Sequence, residues 1–167
     1  SPSVREYKTS LTKEDDVEGL GFDAKRNALL IACKGNTDSS YLRKVYAFDL
    51  NTKKLSEQPV YTVDPLEVNR LVPHAREENE HFFSPSGIAV HPITGDIYVL
   101  SSAQKRLVVL DYATGAIKYA IRLDRKMLPQ PEGISFDFNG DLVLSSEGKK
   151  GEGLIIRYRF LEVRSEK

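Results

Sequence analysis

The sequence predicts an all-β fold: a β-propeller of four-stranded antiparallel blades, with about three blades in this chain. The first observation behind this is a repeat. "EGLGFDAKRNALLIAC" (18–33), "SGIAVHPITGDIYVLS" (86–101) and "EGISFDFNGDLVLSS" (132–146) share one pattern. Each opens with a small or acidic residue and a Gly. An alternating strand, a turn and a second apolar strand follow. The second observation is what comes next. Third strands are read at "KVYAFDL" (44–50), "RLVVLDY" (106–112) and "GLIIRYRF" (153–160), and fourth strands at "PVYTV" (59–63) and "IKYAIRL" (117–123). Four short strands at this spacing describe a propeller blade. The third observation is that helical periodicity is nearly absent. Its one candidate is "HAREENEHFF" (74–83). A β-sandwich uses similar hairpins but does not require the repeat.

The elements then fall in order. Residues 1–12, containing "VREYKTSL" (4–11), read as the outer strand of a preceding blade. Residues 13–64 form a blade, 65–83 an inserted loop or short helix, and 84–124 a second blade. Residues 125–160 form a blade lacking its outer strand, and 161–167 a C-terminal tail. Propellers close with 4–8 blades. Three blades therefore call for a partner: a second copy, or a missing N-terminal half that completes a six-bladed ring. Open blade faces and unpaired strand edges favour association.

Composition narrows the function classes. Lys+Arg and Asp+Glu are both 24 in 167 residues, so the formal net charge is zero. With no basic stripe and no interleaved aromatics, a nucleic-acid partner is not expected. No apolar run approaches the roughly 20 residues of a transmembrane helix. Cys33 is the only cysteine and is expected to pack as a small apolar residue. Asp49 and Asp111 precede turns and are expected to accept from turn amides. His91-Pro92 reads as part of a turn, and His74 and His81 as residues of a polar surface loop.

The ordered series "EGLGFD…LLIACKG", "PSGIAVHPITGDIYVLSS…RLVVLD" and "PEGISFDFNGDLVLSSEG…IIRYRF" resembles the C-terminal half of the SdiA-regulated family, six-bladed propellers of bacteria. The likeness covers about residues 16–160. NHL-repeat, phytase-like and gluconolactonase-type propellers share the "EG" strand opening. The resemblance implies the fold, a bacterial cell-envelope or periplasmic location, and a calcium site. Gluconolactonase-type propellers hold a divalent metal in the channel with the "EG" glutamate. Glu18 and Glu132 match that position, and Ser86 does not.

The candidate site follows from superposing the units. Glu18, Ser86 and Glu132 open three inner strands at one mouth of the channel. Lys34, Ser102 and Glu147 close the second strands at the same mouth. Oxygen ligands converging there suit a hard cation, Ca²⁺ first, held by Glu18, Glu132 and Glu147. A two-residue Asn139-Gly140 turn pairs Phe138 with Asp141, Phe136 with Val143 and Ile134 with Ser145, and sets Glu132 opposite Glu147. A three-residue turn would set Ser146 there instead. Two opposed carboxylates repel. A metal, a shared proton or Lys34 as counter-charge would each relieve them, and so would plain hydration.

Two function classes are carried forward. The first is a non-catalytic binding module for an unknown small molecule or protein at the channel mouth. The alternative is a metal-dependent hydrolase of the lactonase or phosphoesterase type. Ser145-Ser146 has no nucleophile-elbow context, so serine chemistry is not expected.

Overall fold

A computed structural model describes residues 3–35, 40–72, 82–148 and 151–161. Its strands form three antiparallel sheets, each a blade. Blade 1 contains β1 (Val17–Asp23), β2 (Ala28–Cys33) and β3 (Arg43–Asp49), with β4 (Lys54–Leu55) and β5 (Tyr61–Val63) both paired to β3. Two short strands thus share the outer position. The segment between them includes Pro59, which lacks the N–H a ladder needs. Ser56 and Val60 keep contact there by donating to the carbonyls of Ala47 and Val45. Blade 2 is β6 (Gly87–Val90), β7 (Ile97–Ser101), β8 (Arg106–Leu110) and β9 (Ile117–Arg122). Blade 3 is β10 (Pro131–Phe136), β11 (Leu142–Ser146) and β12 (Leu154–Tyr158). Among the described residues no fourth strand pairs with β12.

Period-two alternation gives each sheet two faces. The pairings Gly19↔Ala32, Gly21↔Leu30 and Ala32↔Val45 place small residues on one face of blade 1. That face packs against Ile88, Ile97, Val99, Val108 and Leu110 of blade 2 in one buried cluster. The other face of blade 2, with Leu100 and Leu107, meets Ile134, Leu142, Leu144 and Ile156 of blade 3. Glycine sets the approach of the inner strands. A Cβ on Gly19 would lie 3.3 Å from Ile88 Cγ2, and one on Gly87 would lie 2.9 Å from Ile134 Cγ2. The strand-opening Gly of blade 1 and that of blade 2 therefore each seat the branched side chain that follows the next blade's Gly.

The connections are explained locally. Helix α1 (Pro65–Leu71) starts where Asp64 accepts from Leu66 N–H at 2.9 Å, with Pro65 in the first turn. It buries Val68 in the blade 1–blade 2 cluster. The insertion thus carries helix earlier than the 74–83 stretch, of which 74–81 lies outside the described residues, as do His74 and His81. Residues 3–9 form no strand, and the Tyr7 ring sits 5.8 Å from Phe48 of blade 1. The Asn139-Gly140 hairpin differs from its two-residue reading. Asp137 N–H donates to Asp141 O at 3.0 Å, and Gly140 takes φ +87. Three residues make the turn, with Gly in the left-handed position that closes such loops. Phe136 then faces Leu142 and Ile134 faces Leu144, one residue away from the expected pairs.

Candidate ligand site at the channel mouth

Glu132 sits in a β-bulge. Pro131 pairs with Ser146 and Gly133 with Ser145, so Glu132 is the extra residue between them. It faces neither Glu147 nor Ser146. Blade 1 repeats the device: Val17 pairs with Cys33 and Gly19 with Ala32, leaving Glu18 as the extra residue. A bulge frees a side chain from the ladder and re-aims it. Both glutamates consequently turn to the mouth rather than to a strand partner.

A polar cavity of about 680 Å³ opens at that mouth. Glu18, Lys34, Ser86, Ser102 and Glu132 line it, and the expected Glu147 does not. Glu147 continues β11 past the bulge, and its N–H donates to Gln130 O at 3.0 Å. The longer turn and the bulge together shift Glu147 out of the register that a plain hairpin gives. The cavity also takes Ser84, Lys105 and Gln130. These residues escaped the sequence reading, although two of them carried a signal. "SPSG" (84–87) and "QPEG" (130–133) align, so Ser84 and Gln130 hold equivalent places two residues before Ser86 and Glu132.

The polar groups of the rim are held mainly by near neighbours. Ser86 Oγ accepts from Ser102 N–H at 3.0 Å and donates to Leu100 O at 3.3 Å. Glu132 Oε1 accepts from Gln130 Nε2 at 2.9 Å. Lys105 Nζ donates to Ser102 O. Lys34 Nζ lies 3.4 Å from Glu18 and 3.5 Å from Asp16. Partial burial opposes the Lys34 charge, but Asp16 and Glu18 outweigh it and hold its pKa above the ordinary lysine value. Ser84 N–H is fixed by Gln104 Oε1 at 3.0 Å.

Calcium takes 6–8 oxygen ligands, several of them carboxylates. Two carboxylates reach this cavity, one salt-bridged to Lys34 and one bonded by Gln130. Among the described residues no group of three or more His, Cys, Asp or Glu side chains could hold a metal ion. Of the three glutamates expected from sequence, Glu18 and Glu132 line this cavity and Glu147 does not. The other singled-out residues are structural. Asp49 and Asp111 accept from turn amides. Cys33 is buried, and burial pushes its thiol up to about 11. His91 Nδ1 accepts from the N–H groups of Ile93 and Thr94 in a turn.

Consecutive antiparallel sheets of five, four and three strands, packed face to face with their first strands adjacent, define a β-propeller. The chain belongs to the SdiA-regulated family, whose model matches residues 3–150. No curated protein matches it in sequence. Among solved structures it resembles the hydrazine synthase of Kuenenia stuttgartiensis, with a TM-score of 0.55 and 15% identity, covering 93% of this chain and 36% of that one. It also resembles a luciferin-regenerating enzyme, with a TM-score of 0.52 and 15% identity, covering 84% of this chain and 44% of that one. The chain thus spans well under half the length of these structures. Likeness at such identity establishes the fold alone. Among the described residues no helix is long and apolar enough to cross a membrane.

Proposed function

We propose that this chain is part of a non-catalytic propeller binding module whose ligand sits at the channel mouth. The observation that carries the reading is the convergence of three blade openings on one cavity of about 680 Å³. Its lining mixes carboxylates, ammonium groups, hydroxyls and a carboxamide. Such a set suits a small, polar, hydrogen-bonding ligand that carries charge. The bulges support the assignment, because they direct Glu18 and Glu132 away from sheet pairing. A calcium ion would need carboxylates beyond those the described residues bring to this cavity, so it enters the reading as a co-ligand of the completed ring. The family resemblance supports a location in the bacterial cell envelope or periplasm.

The test is a thermal-shift panel of amino acids, hydroxy acids, sugars, lactones and calcium chloride, followed by calorimetry of any hit. A hit is expected to lose most of its affinity in Glu132→Gln and in Ser86→Ala, with melting unchanged. Hydrolysis of a lactone or phosphoester that stops on chelation would instead support the metal-dependent hydrolase. Hits that bind both variants as tightly as wild type would remove the ligand from this mouth.

A further inference from the structure

Hydrogen-bond donors at the channel mouth are committed to the protein itself. The backbone N–H of Lys34 donates to Asp16 O at 2.9 Å, that of Ser86 to Leu100 O at 2.8 Å, and that of Ser102 to Ser86 Oγ at 3.0 Å. Gln104 Oε1 holds the Ser84 N–H at 3.0 Å, and Ser146 Oγ holds the Gln130 N–H at 2.9 Å. The side chains follow the same pattern. Ser86 Oγ donates to Leu100 O, Gln130 Nε2 to Glu132, Lys105 Nζ to Ser102 O and Lys34 Nζ to Glu18. Anion sites are made from backbone N–H groups that have no other acceptor. These N–H groups all have one.

The acceptors are in the opposite condition. Glu132 Oε1 receives the neutral Gln130 amide at 2.9 Å, and among the described residues no cation pairs with this carboxylate. Glu18 differs, because Lys34 lies 3.4 Å away, but Lys34 is shared with Asp16 at 3.5 Å. Two carboxylates thus divide one ammonium, and that cluster is itself net negative. Ser84 is an independent sign of a ligand. It lines the cavity, is only 5% exposed, and its hydroxyl bonds no group among the described residues. A buried hydroxyl ordinarily has a partner. The blade 2 and blade 3 openings also lie side by side, since a Cβ on Gly87 would stand 3.1 Å from the Glu132 carbonyl oxygen.

We infer, on the binding-module reading of this cavity, that its ligand is a primary amine held as the ammonium. Glu132 takes the charge, and the Ser84 and Ser86 oxygens accept the remaining N–H groups. An ammonium has three donors and no acceptor, which matches a wall rich in acceptors. Ser86 Oγ keeps a lone pair for this after accepting from Ser102. Glu132 is exposed, and water screens an exposed pair, so a preference of about fivefold over a neutral isostere is expected.

The test compares ethanolamine, ethylene glycol and glycolate, probes of similar size with positive, zero and negative charge. Each is titrated into the full chain at neutral pH and constant ionic strength, while the amide resonances of Ser84, Ser86, Ser102 and Glu132 are followed. Ethanolamine should saturate them at about one-fifth the concentration that ethylene glycol needs, with glycolate weakest. Glu132→Gln should bring ethanolamine to the level of ethylene glycol, Ser84→Ala should weaken it, and Lys34→Met should tighten it, all with melting unchanged. Ethylene glycol or glycolate binding as tightly as ethanolamine would overturn the amine while keeping a ligand site at this mouth. Ethanolamine binding that Glu132→Gln leaves unchanged would overturn it too. Resonances that none of the three probes moves would also overturn it, and the binding-module reading would then be decided by the hits of its own panel.

Discussion

The two rims of this blade array are built differently. At the mouth, polar side chains bond mainly near neighbours: Ser86 with Ser102, Glu132 with Gln130, Lys34 with Asp16 and Glu18. At the opposite rim, side chains bind one blade to the next. Asp23 is fully buried, accepts from the N–H groups of Lys25 and Arg26, and takes Arg26 Nη1 at 2.8 Å. Arg26 also donates to Tyr61 OH at 2.7 Å, and Tyr61 OH donates to Tyr112 O at 2.9 Å. Tyr112 OH returns to Asp23 at 3.2 Å, which closes the circuit between blades 1 and 2. Burial first, and the Asp23 charge second, push the Tyr112 phenol up to about 12. Between blades 2 and 3 the His91 ring packs at 4.8 Å from Phe136 and 4.6 Å from Phe160. One rim staples the blades together, and this leaves the other rim's polar groups available to a ligand.

The largest effect is expected from opening the staple. Asp23→Ala removes a buried carboxylate that four donors face, leaving Tyr112 OH without its acceptor and Arg26 without its counter-charge. Removing one partner of a buried charged pair typically costs 3–5 kcal/mol. Arg26 retains some solvent access, so about 3 kcal/mol is expected, read by urea unfolding at neutral pH. Ligand affinity at the mouth should be unchanged in the fraction that remains folded. A loss below about 1 kcal/mol would show that the blades are held by apolar packing alone.

Gly87→Ala should rank next. Its Cβ would meet Ile134 Cγ2 at 2.9 Å and the Glu132 carbonyl at 3.1 Å. Overpacking of this kind costs about 1–3 kcal/mol. The strain falls on the inner strands, so Glu132 is displaced as well. This variant should lower both stability and ligand affinity, and calorimetry paired with unfolding separates it from the rim-specific changes.

The repeat made the blades legible, because strand alternation and the recurring Gly are local signals. It placed Glu18, Ser86 and Glu132 at strand openings, and the structure sets them on one cavity with Lys34 and Ser102. Glu147 was misplaced because register depends on turn length and on a bulge, and neither is visible in an apolar–polar pattern. The staple was not legible at all. It joins Arg26 to Tyr61, 35 residues apart within blade 1, and Tyr112 of blade 2 to Asp23 of blade 1, 89 residues apart, a pair that meets only once the two blades have packed. Its repeated element is plain in retrospect: Asp23, His91 and Asp137 each end a first strand and accept from two turn amides.

His91 differs from its two Asp counterparts in being titratable near neutrality. Burial lowers its pKa below 6.5, while Asp96 and the Gly140 backbone pull the other way. The unfolded chain then binds a proton at a pH where the folded chain does not. Stability is full above pH 6.5 and falls as pH drops toward the folded value. His91→Asn preserves an acceptor for the turn amides and removes the titration. Melting temperature against pH should slope between pH 7 and 5 in wild type, and the slope should be shallower in the variant. Parallel curves for the two proteins would exclude His91 as the source.

The smallest stability effects are expected at the mouth, and that is what gives the comparison its force. Glu18 and Lys34 form a pair in which both side chains are about two-fifths exposed, at 3.4 Å. Exposed pairs of this kind contribute about 0–1 kcal/mol, because water screens them and long side chains lose entropy in holding one geometry. Glu18→Gln and Lys34→Met should each stay within about 0.5 kcal/mol of wild type. Neither residue touches the staple, so the two changes should add to Asp23→Ala without coupling. Their effect on a charged ligand should be larger and opposite in sign, because one removes a negative charge from the cavity wall and the other a positive one. Measured together, unchanged unfolding midpoints with affinities moving in opposite directions would separate the binding rim from the stapled one. Stability losses as large as that of Asp23→Ala would mean that the mouth also holds the blades together, and the division of labour between the rims would fail.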